Sequence, residues 1–361
     1  MAPRLSQSTL WILAAWLLLV GSYAAVATTV SPGPELTAFG DIAQCVVPLF
    51  ANAGLLMSAA SPNWRRNTFW MLLALGCSLW MVGQLQWTYI EIYLKQPVPN
   101  PFVGDIIVFL HTVPMIAALA LQPHSRQPDR NLRFGYLDFT LLLLWWVYLY
   151  LFIVIPWQYV MPDVGLYGHS YIMLYIVENM VFLPGLGILW MRTTGRWRTI
   201  YAHLFGAACC YTMSSLVINV AINQNAYHTG SLYDIPLVAS FVWFGTAGIV
   251  GCRLGSATDP APSRKSDEAG ESAGPWRYEG VWTARLAMVA VFSLPALALW
   301  SLLFSAEPAP VRQFRLLVTL AAKKEGPVVF GIRLKSFIWT ETRRHILHQV
   351  RPHILLPSPL D

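Results

Sequence analysis

Charged residues are what this sequence has least of. Asp, Glu, Lys and Arg make up 12% of its 361 residues, against roughly 25% in an ordinary soluble domain. A chain that is 56% hydrophobic cannot hide so much apolar surface in one water-soluble core, so a bilayer must solvate much of it. Catalytic signatures are missing as well: there is no Gly-rich phosphate loop, no HExxH, no GxSxG and no CxxC. The chain alone is not expected to be an enzyme, and neither a cofactor nor a metal is expected. Cysteine is sparse. Cys45, Cys77, Cys209, Cys210 and Cys252 lie in or beside apolar runs without metal-ligand spacing. They read as small apolar helix residues, not as a disulfide framework.

Apolar runs and tryptophan are abundant. Membrane helices need roughly 20 mostly apolar residues, and runs of that kind occur at 10–29, 39–60, 69–90, 103–121, 137–155, 171–190, 201–222, 235–252 and 286–304. In lipid the backbone must satisfy its own hydrogen bonds, so these runs are helices and not open strands. The fold class is all-α: a polytopic membrane helix bundle of eight helices plus a C-terminal hairpin, nine or ten transmembrane helices in all. Many of the 16 tryptophans (Trp64, Trp70, Trp87, Trp157, Trp190, Trp197) sit near run ends, where an amphipathic ring suits the headgroup region.

Loop charge gives an expected orientation. Segments 61–68, 122–136, 191–200 and 253–284 hold 2, 3, 3 and 4 Lys/Arg, and the alternate segments 30–38, 91–102, 156–170, 223–235 and 305–311 hold 0, 1, 0, 0 and 0. This positive-inside split puts the N-terminus in the cytoplasm and the proline turn Pro97–Pro101 outside. Arg4, the first apolar run and Ala25-Val26-Ala27 also resemble a signal peptide. Its cleavage would leave eight helices oriented as before.

Four regions follow. Residues 1–254 form an eight-helix bundle, and 255–284, rich in Gly, Ser, Pro, Ala and charge, form a flexible cytoplasmic linker. Residues 285–322 hold a terminal helix and an incomplete return run, RLLVTLAA, cut short by Lys323-Lys324-Glu325-Gly326-Pro327. Residues 323–361 are a basic, poorly ordered tail that carries +4 of the net +6, which by itself is no nucleic-acid footprint. A basic tail left outside would oppose the charge rule. The expectation is an altered or truncated C-terminus, as from a frameshift; the alternative is an interfacial helix whose Arg343, Arg344 and Arg351 meet anionic lipid.

Polar residues inside apolar runs are costly and therefore functional suspects. Asp41, Gln44, Pro48 and Asn52 fall at i, i+3, i+7 and i+11, one helical stripe, and Gln84, Trp87 and Glu91 form another. The fourth run brings Asp105 and His111, about 120° apart around the helix, so one ligand need not see both. Glu178-Asn179, Asn219, Asn223 and Asp234 complete the set, and most of it lies in the expected outer half. Asp105 and Asp234 also stand where a helix start favours a carboxylate or a cap. Glu178 must be neutral, paired or in a wet cavity. His111 has no second His at its depth, so haem or metal ligation is not expected. Pro48, Pro114, Pro184 and Pro295 are candidate kinks. The ligand-binding candidates are thus Asp41, Gln44, Gln84, Glu91, Asp105, His111, Glu178, Asn179 and Asp234, with suspicion centred on Glu178 and the Asp41 stripe around it. A parallel repeat is also legible: 28–29 residues after Gly76 and Gly206 come Asp105-Ile106 and Asp234-Ile235, each opening a helix.

PNPFVGDIIVFLHTVPMIAAL resembles the P-S-x-A-D-x-x-Y-L turn and helix in multi-pass N-terminal sensor regions of bacterial diguanylate cyclase/phosphodiesterase proteins (GGDEF-EAL) and membrane histidine kinases. Tyr136-Leu137-Asp138 resembles the L-D start of their next helix, Ser231-Leu232-Tyr233-Asp234 a second aspartate turn, and PVRQFRLLVTLAA the last membrane segment before the output domain. The likeness spans residues 1–322. It departs at Phe102-Val103-Gly104, where Ser and Ala are usual, and ends after Ala322. It implies a sensory, signal-transduction module in a bacterial inner membrane, lacking the kinase or cyclase domain. Its partners would be the lipid bilayer, an extracytoplasmic or membrane signal and a second copy in a homodimer, with no nucleic acid. The alternatives are a small-solute or proton-coupled transporter and an enzyme acting on lipid groups.

Overall fold

Helices start where a polar side chain can take the free N–H groups of the first turn, and two of them start well before their apolar runs. Asn63 accepts from the backbone N–H of Arg65 at 3.0 Å, and Asp163 accepts from that of Leu166 at 2.9 Å. The computed structural model describes residues 7–60, 63–124, 132–256 and 307–324, with Ala296 and Leu299. Its helices are α1 (Gln7–Thr29), α2 (Pro34–Ala59), α3 (Trp64–Thr88), α4 (Asp105–Leu110), α5 (Thr112–Leu121), α6 (Leu132–Ile153), α7 (Val164–Arg192), α8 (Gly195–Asn223), α9 (Asp234–Ser256) and α10 (Ala309–Lys324). Wider π turns prolong α3 over Tyr89–Tyr93 and follow α6 over Pro156–Val160.

The protein is an all-α polytopic helix bundle. Among the described residues, six helical spans are long and apolar enough to cross a membrane: Pro34–Ala59, Trp64–Tyr93, Phe139–Val160, Val164–Arg192, Gly195–Asn223 and Asp234–Leu254. Two shorter apolar stretches, Trp16–Thr29 and Asp105–Leu121, accompany them. The eight expected runs up to residue 252 are thus all helical. The ninth, 286–304, lies outside the described residues apart from Ala296 and Leu299. Of the linker only Gly255 and Ser256 are described, and of the tail only Lys323 and Lys324; both pairs end helices, α9 and α10, so helix runs two residues past each expected boundary. The chain divides into two compact units, Met1–Val289 and Ala290–Asp361. In the second, α10 carries buried Val311 and Val318 against exposed Leu317 and Leu320, and Arg315 pairs with Glu307.

In the first unit, large apolar side chains face outward along several helices, among them Leu49, Leu56, Met71, Met180, Met191 and Met213. That is the surface a bilayer solvates. Trp70 and Trp157 depart from the headgroup expectation: both are buried, and Trp70 packs against Gly251. The fourth apolar run is broken at His111, between α4 and α5. Pro114 has no N–H for the Leu110 carbonyl four residues back, which opens the ladder there.

The closest helix contact joins α2 to α9. A Cβ placed on Gly54 would stand 2.3 Å from the Gly245 carbonyl oxygen, and one on Gly248 would stand 2.3 Å from the Gly54 carbonyl. Small residues let the two backbones touch, which is how helices associate strongly without a hydrophobic gradient between them. Ser58 adds a 2.6 Å hydrogen bond to the Gly248 carbonyl. The matched glycines of the expected repeat also act alike. Gly76 of α3 fits against Met115 and the His111 carbonyl, and Gly206 of α8 fits against the Trp243 ring. Each lets its helix close on the apolar run that follows, α3 on α5 and α8 on α9.

Candidate functional site

Buried polar groups collect at one end of the bundle, where α4 and α9 begin, termed here the aspartate end. Asp234 is fully buried. Its Oδ1 accepts from the Tyr227 hydroxyl at 2.9 Å, and its Oδ2 accepts from the Gly230 N–H at 2.8 Å and the Tyr23 hydroxyl at 3.3 Å. Gly230 has φ +87°, a left-handed conformation that favours glycine, and it lies against Gly40, whose added Cβ would stand 2.5 Å from the Gly230 nitrogen. Tyr23 precedes the Ala25-Val26-Ala27 stretch, so α1 supplies a donor to the bundle. Burial, and next the Asp234 carboxylate, push the Tyr227 phenol well above its usual range. A raised phenol pKa stabilises the fold fully below about pH 10 and loses that contribution as pH climbs past it. Alkaline titration should therefore speed hydrogen exchange in the 225–234 turn, and Tyr227→Phe should blunt that response; an identical response in the variant would sink the assignment.

Asp41 and Glu91 stand close by. Gln84 donates to Asp41 Oδ1 at 3.1 Å. Thr229 donates to Glu91 Oε2 at 2.6 Å and accepts from the Trp87 indole at 3.2 Å. The two sequence stripes therefore face each other: Asp41, Gln44, Pro48 and Asn52 are all buried on α2, and Gln84, Trp87 and Glu91 meet α2 and the turn before α9. Asp41 Oδ2 and Gln44 Nε2 have no hydrogen-bond partner among the described residues. No Lys or Arg is paired with Asp41, Glu91 or Asp234 among the described residues.

Asp105 does not cap its helix forward, since Gly104 holds the N-cap position without a side-chain bond. Its Oδ2 instead reaches back to the Phe102 N–H at 3.3 Å, as Asp234 reaches back to Gly230. This reach-back replaces the expected cap. The carboxylate clamps the preceding turn, in the manner of the rearward arm of a capping box. The Tyr167 hydroxyl donates to the same Asp105 oxygen.

The third polar group lies deeper. Glu178 is fully buried, and neither of its oxygens has a hydrogen-bond partner among the described residues. Thr112 is the hydrogen-bonding side chain beside it, short of a formed bond. The Tyr175 and Tyr211 hydroxyls, also unpartnered, neighbour it. Thr112 in turn bonds the His111 Nε2 at 3.2 Å, and the His111 ring packs edge-on against Tyr211 at 5.1 Å. His111 thus gains neighbours that the sequence reading did not give it. Glu178 is set among α5 and α8 residues, whereas the Asp41 stripe is set among α3 and α9 residues; the expectation that the two share one site is corrected. Asn179 accepts from Thr212 at 2.6 Å and donates to the Tyr175 carbonyl at 2.9 Å, an interhelical tie. No group of three His, Cys, Asp or Glu is arranged to hold a metal among the described residues.

One small cavity, about 50 Å³, opens at the aspartate end. Trp87, Phe102, Tyr167 and Tyr171 form its aromatic walls, and Asn100, Asp105, Asn219 and Asn223 its polar ones. Of the nine candidates, only Asp105 lines it. A wider depression of about 370 Å³ at the opposite end is bounded by Trp190, Arg198, His203 and Trp243. The tyrosines are what sequence reading missed. Tyr167, Tyr171 and Tyr175 repeat at i, i+4 and i+8 and all are buried, a stripe that was legible but reads as ordinary apolar bulk.

No protein-family model matches the chain, and no curated protein or solved structure is significantly similar to it. The sensor-region resemblance rests on the short motifs quoted above.

Proposed function

We propose that this chain is a sensory module of a membrane signalling protein, lying in a bacterial inner membrane with the aspartate end outward. The observation that carries the reading is the position of the cavity. It joins the ends of α3, α7 and α8 to the turn before α4, so a bound signal would bear on several helices at once. The bundle below is filled by large buried side chains, including Phe69, Trp70, Trp80, Phe241 and Phe244, which favours reception over passage. The unpartnered Glu178 is what favours the rival reading, a proton-coupled carrier.

The two readings separate in proteoliposomes holding the whole chain. A sensor gives no dye-reported proton flux under an imposed gradient, whereas a carrier gives flux that Glu178→Gln abolishes. A sensor also passes a change at the cavity along α7. Tyr167→Phe should alter the mobility of a nitroxide at Met191, an exposed residue near the far end of that helix. Flux, or an unmoved label, would overturn the proposal.

A further inference from the structure

We infer that the cavity at the aspartate end is a binding site for an ammonium cation, with methylammonium as a ligand that fits it. The inference rests on the sensory reading only in taking the cavity to open outward; the binding chemistry is argued from the walls.

Four features converge. The first is charge. Asp105 lines the cavity, and its two hydrogen bonds, from Phe102 and Tyr167, both go to Oδ2, which leaves Oδ1 free to accept. No Lys, Arg or His is among the lining residues, so nothing basic competes for that oxygen. The second is the aromatic wall. The Tyr167 and Tyr171 rings lie nearly parallel, 25° apart with centroids 6.1 Å apart, and Trp87 also lines the cavity, held by an edge contact to Phe102 at 5.5 Å and by its indole bond to Thr229. Aromatic faces around a carboxylate attract a cation through the ring quadrupoles, and more strongly where water is excluded.

The third is hydrogen bonding. Asn219 spends one of its two amide N–H groups on the Ser215 carbonyl at 2.8 Å, and its carbonyl is left as an acceptor. An ammonium group is all donor, and the Asp105 Oδ1 and the Asn219 carbonyl are oxygens that can accept from it. The fourth is size. The space open to the centre of a water molecule is about 50 Å³, where one water needs about 10–15 Å³, so the two heavy atoms of methylammonium fit. Gly168 helps keep that space open, since a Cβ there would stand 2.5 Å from the Asn223 carboxamide.

The test uses the full chain in nanodiscs and saturation-transfer NMR on the methyl signal of methylammonium. Saturable binding is expected, with methanol, a neutral molecule of the same size, failing to compete. Asp105→Asn should weaken binding at least tenfold. Trp87→Leu should weaken it several-fold, and Trp87→Phe should restore most of it. If Asp105→Asn does not fold, as judged by circular dichroism, the two Trp87 variants decide. Absence of saturable binding by the parent chain, equal competition by methanol, or unchanged affinity in a folded Asp105→Asn would each overturn the inference. Methylammonium binding that leaves the Met191 label unmoved defeats the sensory reading and not this site. A label that responds to Tyr167→Phe in a chain that binds no methylammonium defeats this site alone.

Discussion

Gly54→Leu should leave no cooperatively folded bundle. Its side chain would have to occupy space already held by the Gly245 carbonyl, 2.3 Å from the first added carbon. The obstacle is backbone, not a flexible side-chain end, so relief requires α2 and α9 to part. Even Gly54→Ala meets it and should cost about 1–3 kcal/mol, the usual range for overpacking. Leucine would also pull apart the bond from Ser58 to the Gly248 carbonyl. Thermal unfolding of detergent-solubilised chain, followed by tryptophan fluorescence, reads the effect. Gly187→Ala is the control, because a Cβ there meets only Phe205 at an ordinary 3.5 Å. If Gly54→Leu melts like that control, the α2–α9 contact is not as close as described.

Asp234→Ala should be the most damaging change among the polar residues. One carboxylate serves three buried donors, from Tyr227, Gly230 and Tyr23. Each donor left without a partner costs about 1–3 kcal/mol. The costs are not additive, since the freed groups share one site, and a total loss above about 3 kcal/mol is expected. Asp234→Asn keeps one acceptor oxygen and should lose less. A distinct signature is detachment of α1. Cross-linking between α1 and α9 should fall in Asp234→Ala and, more mildly, in Tyr23→Phe. Undiminished cross-linking would show that the Tyr23 bond holds nothing in place.

The bundle was legible in the sequence because each crossing demands its own long apolar run, a signal that later packing cannot erase. The inward stripes were legible for a similar reason: Asp41, Gln44 and Asn52 repeat with the helical period, and a polar stripe must turn from lipid. Helix starts were less legible. The residues after Asn63 and Asp163 are polar or mixed, so hydropathy begins counting too late. For Glu178 this mattered. With α7 starting at Val164 rather than at residue 171, the carboxyl lies about four turns in, not two. The pairing of sites was not legible at all. Whether Glu178 meets Asp41 or His111 depends on which helices are neighbours, and helix adjacency leaves no mark in a single sequence. Thr229 and Tyr227 were missed because a short polar loop gives no period from which to read direction.

The unpartnered Glu178 carboxyl has a consequence in electrical terms. At 1.5 Å per residue it stands about 21 Å along α7 from the aspartate end, near the middle of a hydrocarbon layer about 30 Å thick. Moving a unit charge across a whole membrane is worth about 2.3 kcal/mol per 100 mV. A proton that reached Glu178 from either face would cross about half of that drop, about 1 kcal/mol per 100 mV. With such access its occupancy would follow membrane voltage as well as proton concentration, so that an energised membrane and a depolarised one would set it differently.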